Sequence, residues 1–160
     1  MFKTILVAVD GTAVSDFALE EAILLATEQR ATLCVLHVVE EFVPFQGSET
    51  AVYVEGLWEV LRNAGKEILA KAVNKAKQRS ATTRSILMEA VGRRVSDVIL
   101  EQAKSCNADL IVLGTHGRRG MSRLVMGSDA ENVIREADVP VLLVRTGRGR
   151  GLGFAIPPSQ

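Results

Sequence analysis

The chain has 160 residues, of which 48% are hydrophobic, and its 19 Lys and Arg balance its 19 Asp and Glu. That length supports one domain with its own core, and the composition excludes a disordered chain. Zero net charge excludes broad, charge-driven nucleic-acid binding, and two cysteines (Cys34, Cys106) with two histidines (His37, His116) cannot assemble a zinc cluster by spacing.

Cysteines outside any CxxC pair fit a reducing compartment. The opening MFKTILVAVD is stopped by Asp10, too early for a signal peptide, and no apolar run approaches a membrane span. A cytoplasmic location is expected.

Ile5–Val9 is a compact, β-branched apolar run ended by Asp10-Gly11, which predicts a buried strand. From Val14, apolar residues recur at helical spacing through Phe17, Ala18, Ala22, Leu25 and Ala26, predicting a helix to about Arg30. Leu33–Val39, LCVLHVV, is a second buried strand. Glu40–Val54 mixes Glu, Pro44 and Gly47 without a period, and reads as a long loop. From Leu57 a long helix is predicted, with Leu57, Leu61, Ala64, Ile68, Ala72 and Ala76 on its apolar stripe. Lys66, Lys71, Lys75 and Lys77 lie on its other face and read as solvated surface.

Thr82–Ala90 is a third strand, and Val95 to about Asn107 a shorter helix. Leu110–Leu113 is a fourth strand. Ser128-Asp129-Ala130-Glu131 matches a capping box, so a helix should start there with Ser128 as its cap. Val139-Pro140 stops it, and Val141–Val144 is the fifth strand. The alternation of strands and helices predicts an α/β fold: a single doubly wound domain, with a five-stranded parallel sheet and helices on both faces. This domain spans residues 1–146, and residues 147–160 form a Gly-, Arg- and Pro-rich tail, expected to be loosely held.

Chemistry concentrates in Leu110–Ser128, LIVLGTHGRRGMSRLVMGS. A strand breaks at Gly114, the loop carries Gly117, Gly120, Arg118, Arg119 and Arg123, and Gly127-Ser128 opens a helix. This layout lets backbone N–H groups surround a phosphate. Ligands of doubly wound sheets bind beyond the carboxyl ends of the strands, where strand order reverses. If the first and fourth strands are neighbours, Asp10 and the glycine loop face one crevice, with the end of the second strand near Val38 beside it. No GxxxxGK[ST] is present and no GxGxxG follows a strand. Asp10-Gly11-Thr12 lacks the first aspartate of a DxDGT phosphatase motif, since position 8 is Ala8.

The opening ILVAVDGT, the strand LHVV, the segment DLIVLGTHGRRGMSRLVMGS with its Gly114-x2-Gly117-x9-Gly127-Ser128 pattern, and the closing VPVLLVR resemble the universal stress protein family, from Phe2 to Arg145. The glycine-serine pattern is that of the family's ATP-binding branch. The resemblance implies a strand order of 3-2-1-4-5. It implies adenosine near Asp10, with the end of the first strand at Val9, and the backbone of Val38. Leu113, Gly114 and Gly117 would line the ribose and phosphate path, with Gly127, Ser128 and Asp129 at the phosphates. It also implies a homodimer pairing the last strand, Val141–Val144, and a regulatory role that an unidentified protein partner reads.

Each of these residues has a plainer reading. Asp10 caps turns. In the capping box the Ser128 hydroxyl serves the helix backbone, and its removal would cost ~1 kcal/mol on that account alone. Asp129 and Glu131 put negative charge where a triphosphate would arrive, so an arginine or Mg²⁺ must offset it. His116 has no nucleophile placed near it by sequence. Cys34 reads as a small core residue, Cys106 as a helix-end residue, and Trp58 and Tyr53 as packing residues. The leading expectation is an ATP-binding regulatory module with at most slow hydrolysis, because no residue is placed as a general base. A slow ATPase or another nucleotide-using enzyme on the same fold, and a nucleotide-independent interaction protein, remain open at this point.

Overall fold

A computed structural model describes residues 1–40, 51–79, 81–115 and 127–145, without the side chains of 51–55. The elements in chain order are β1 Thr4–Ala8, α1 Ala13–Gln29, β2 Thr32–Glu40, α2 Ala51–Gln78, β3 Thr82–Ala90, α3 Val95–Ser105, β4 Leu110–Gly114, α4 Ser128–Glu136 and β5 Val141–Val144. All strand pairs are parallel, in the order β3-β2-β1-β4-β5. β1 is therefore central, with Val7 opposite Val35 of β2 on one side and Val112 of β4 on the other.

Alternation along the strands divides the core into two layers. Ile5, Val7 and Val9 of β1, Leu33 and Val35 of β2, and Leu110 and Val112 of β4 pack under α1 and α2. Leu6, Cys34, Leu36, Ile111 and Leu113 point the other way, under Ile99 and Ala103 of α3 and Ala130 and Val133 of α4. Because both faces are covered, the central strands read as unbroken apolar runs.

Local chemistry sets the ends of the elements. Thr12 caps α1, its hydroxyl accepting from the Ser15 N–H at 3.2 Å, and Arg30 ends the helix in the left-handed region at φ 55°. At the opposite end of the sheet, the Asp109 carboxylate accepts from the N–H groups of Lys3, at 2.7 Å, and Thr4, at 2.9 Å. Those bonds, from Lys3 first and then Thr4, hold its pKa below the usual carboxylate range and fix the start of β4 beside β1.

Three expectations need correction. The long helix begins at Ala51 rather than Leu57, so the loop that follows β2 ends earlier than Val54. Its apolar stripe is shifted: Leu57 and Ala64 are exposed, while Gly65, Leu69, Ala72 and Ala76 are buried. The lysine face is partly committed, since Lys75 pairs with Glu20 of α1 at 2.9 Å. No helix among the described residues is long and apolar enough to cross a membrane. Residues 41–50 of the expected loop and the tail 147–160 lie outside the described residues.

Candidate functional site

The strand order makes β1 and β4 neighbours, and the chain leaves them for opposite faces of the sheet: β1 leads into α1, and β4 leads towards α4. Their carboxyl ends therefore border a crevice at the switch point. Asp10 follows β1 directly. Its Oδ1 accepts from the Thr12 N–H at 2.9 Å and from the Thr12 hydroxyl at 2.6 Å, and its own N–H donates to the Ser15 hydroxyl at 3.3 Å. The turn that makes this possible needs Gly11 at φ +80°, a region that side chains avoid. The plain turn-capping reading of Asp10 is thus realised, and it presets one carboxylate oxygen within the turn.

On the β4 side, the space beside Gly114 is filled by α1. A Cβ there would stand 2.8 Å from Val14 Cγ1 and 3.3 Å from the Ser15 nitrogen. Glycine at this position lets the end of β4 close against the first turn of α1, which is the turn bonded to Asp10. The Thr115 N–H donates to the Val144 carbonyl at 2.9 Å, and the Gly127 N–H donates to the Thr115 carbonyl at 2.9 Å. The chain thus returns to the end of β4 before entering α4. Gly117, with His116, Arg118, Arg119 and Arg123, lies outside the described residues.

The start of α4 differs from the capping-box expectation. Gly127 is the N-cap, in an extended conformation at φ −62° and ψ 143°, and Ser128 is the first helical residue, with an exposed side chain. The helix start moves back one position because the Gly127 carbonyl already accepts from the Glu131 N–H at 3.0 Å. Asp129 is directed towards α3, where its Oδ1 accepts from the Ser96 N–H at 3.3 Å. It thereby supplies an acceptor at a helix start whose own N-cap, Arg94, makes no side-chain capping bond to the helix backbone.

The remaining expected residues offer mainly backbone. Val9 and Leu113 are each 5% exposed, with side chains in opposite core layers. The Val9 N–H bonds the Leu36 carbonyl at 2.8 Å. Val38, near the end of β2, packs its side chain against the α3–α4 layer.

His37 belongs to this region although it was not among the expected site residues. It occupies the α2-facing register of β2, where its neighbours Val35 and Val39 are apolar. The imidazole is 4% exposed, and Nδ1 lies 2.7 Å from the Val9 carbonyl oxygen. A carbonyl only accepts, so Nδ1 carries the proton. The signal in the sequence was a polar residue in an inward-facing strand position, which must find a partner.

Cys34 is fully buried, and burial, followed by the neighbouring Cys106 thiol, pushes its thiol up to about 12. It is therefore a core residue and no nucleophile near neutral pH. Among the described residues no three His, Cys, Asp or Glu side chains cluster as metal ligands.

Comparison with known proteins agrees with this architecture. The model of the "Universal stress protein family" matches residues 1–145. A universal stress protein of Methanocaldococcus jannaschii is 36% identical over 149 residues, covering 91% of this chain and 83% of that protein. A crystal structure of a protein from the universal stress protein family of Burkholderia pseudomallei superposes with a TM-score of 0.71 at 30% identity, over 88% of this chain and 94% of that one. The universal stress protein from Archaeoglobus fulgidus in complex with dAMP superposes with a TM-score of 0.61 at 25% identity, over 90% and 98% of the two chains. With the family's model spanning nearly the whole chain and its solved members sharing the sheet, this chain belongs to the universal stress protein family.

Proposed function

We propose that this chain binds an adenine nucleotide, ATP foremost, in the crevice between the ends of β1 and β4, and works as a nucleotide-dependent regulatory module of the stress response. One observation carries the reading. Asp10 and the paired chain ends at Gly114–Thr115 and Gly127–Ser128 converge at the switch point of a doubly wound sheet, in a family with a solved member holding dAMP. Ser128 opens α4, so the N–H groups of the first helical turn face the side from which a phosphate would approach, while the Gly127 N–H is held by the Thr115 carbonyl. The adenosine end would lie towards Asp10 and the backbone of Val38, with Val9, Leu113 and Gly114 as its frame and Gly117 along the phosphate path.

Asp10 follows β1 and Asp129 lies in the first turn of α4, and each already accepts a main-chain hydrogen bond. Mg²⁺ would therefore draw most of its oxygen ligands from the nucleotide phosphates and water, with the protein contributing at most one or two carboxylates.

The homodimer belongs to the same reading. β5 is an edge strand whose four residues are all half-buried. Both α1 and α4 pack against β5 and carry exposed apolar side chains, Phe17 and Leu24 on α1 and Ile134 on α4. Pairing of β5 with a second copy would cover this edge.

Calorimetric titration of the purified chain with ATP tests the function, with AMP, dAMP and GTP as competitors. Saturable heat with adenine nucleotides and none with GTP is expected. Absence of heat and of any thermal shift at millimolar ATP would sink the proposal. Light scattering behind size exclusion measures the dimer separately.

A further inference from the structure

Two residues of α2 reach the frame of the crevice without belonging to it. Gly65 is buried against His37: a Cβ on it would stand 2.8 Å from His37 Cδ2, 3.0 Å from Nε2 and 3.0 Å from Val39 Cγ2. Ile68, one turn on, lies against Gly11, where a Cβ would meet its Cδ1 at 3.1 Å. The imidazole therefore has one edge on a helix and the other on the Val9 carbonyl, 2.7 Å away. Val9 is the last residue before Asp10, and its N–H is already bonded to Leu36. A glycine inside a helix costs about 1 kcal/mol relative to alanine, so Gly65 is unfavourable to α2 as a helix and is accounted for by the ring it admits.

The opposite end of the contact is equally fixed. Near Gly65, Arg62 of α2 donates from Nε to Glu89 of β3 at 2.6 Å, which holds the helix over the carboxyl ends of the strands. Near Asp10, the Thr12 and Ser15 bonds make the turn a rigid extension of Val9. A shift of α2 would thus pass through the ring to the Val9 carbonyl, and from there to the Asp10 carboxylate.

We infer that His37 is a positioning residue of the nucleotide crevice: wedged between the Val9 carbonyl and the bare surface of Gly65, it sets where Asp10 is presented and couples the placement of α2 to the ligand. This rests on the proposed nucleotide function, and it has a readout that does not. Asparagine at position 37 can place its amide nitrogen where Nδ1 stands, yet it has no atoms at Cδ2 or Nε2. Leucine fills the space without a donor.

The test uses the full chain and two measurements: ATP affinity by calorimetry, and hydrogen exchange of the Val9–Ser15 amides without nucleotide. His37→Leu should weaken ATP binding and speed exchange by about tenfold, the scale of one buried hydrogen bond. His37→Asn should stay within about threefold of wild type in both, because the donor to Val9 is kept. Gly65→Ala should lower affinity by about fivefold through the displaced ring, and combining it with His37→Asn should restore the affinity of His37→Asn alone, a non-additive rescue that a general packing defect would not give. A folded His37→Leu that matches wild type in both readouts overturns the inference, as does a Gly65→Ala loss that His37→Asn leaves unrelieved. Should His37→Leu fail to fold, the Gly65 pair decides. If wild type itself takes up no ATP, the nucleotide reading falls, and the exchange rates alone decide the role of His37.

Discussion

On the β1 wall of the crevice, Asp10, Thr12 and Ser15 bond to one another through side chains, backed by His37. On the β4 wall, main-chain bonds join Thr115 to Val144 and Gly127 to Thr115, and Gly114 and Gly127 contribute no side chain. One wall is self-supporting and preset. The other is kept bare. A site for a nucleotide needs both: a rigid acceptor for the polar sugar and base edges, and exposed N–H groups free of steric cover for phosphate. Substitutions on the first wall should therefore register mainly in stability, and those on the second mainly in affinity.

The largest expected effect is Gly127→Val. The backbone at φ −62° and ψ 143° is one that valine adopts readily, so the fold should survive. A branched side chain at the helix opening would occupy the phosphate space. ATP affinity should fall by at least about 100-fold, near 2.7 kcal/mol, with a melting temperature close to wild type. A variant that binds ATP normally would place the phosphates elsewhere and break the contrast between the walls.

Gly114→Ala marks where the contrast is incomplete. This glycine lies on the bare wall, but the space beside it belongs to Val14 and Ser15 of α1. The 2.8 Å approach to Val14 Cγ1 can relax by side-chain motion, whereas the 3.2 Å and 3.3 Å approaches to the Val14 carbon and the Ser15 nitrogen involve backbone. Overpacking of this kind costs about 1–3 kcal/mol, readable in urea unfolding. Affinity should fall as well, since the displaced turn is the one bonded to Asp10. A neutral result would mean that α1 shifts freely over the sheet.

Thr12→Ala probes the other wall. It removes the hydroxyl that caps α1 and donates to Asp10, and should cost about 1 kcal/mol of stability in the same assay. A loss of affinity larger than the loss of stability would show that the preset orientation of Asp10 matters to the ligand more than the cap matters to the helix.

Much of this layout was legible in the sequence because strands covered on both faces read as apolar runs that end where the sheet ends. Asp10 and Gly114 stood out as the first residues after such runs. The strand order came from the family resemblance, since alternation alone does not say which parallel strands are neighbours. Gly65 was illegible for a physical reason: its contribution is the absence of a side chain, which no count of apolar spacing registers, and the stripe of α2 was accordingly assigned to Ala64. The helix starts earlier than its spacing predicts because Val52, Val54 and Gly56 have modest helix propensity, and tertiary packing overrides it. His37 was legible in principle, as a polar residue in an inward register, but only once the facing helix was known.

Ser128 is where the smallest effect teaches most. Read as a capping box, its hydroxyl serves the helix, and Ser128→Ala would cost ~1 kcal/mol. In the structure Gly127 holds the cap position and the Ser128 side chain is exposed in the first turn. The substitution should then leave stability within about 0.5 kcal/mol of wild type, as for an ordinary surface position. Its hydroxyl is left available to donate to a phosphate oxygen, so affinity for ATP should fall by about three- to tenfold, the value of one hydrogen bond. A change in affinity with unchanged stability assigns Ser128 to the bare wall. The reverse, lost stability with unchanged affinity, would return it to the helix and move the helix start one residue later in solution.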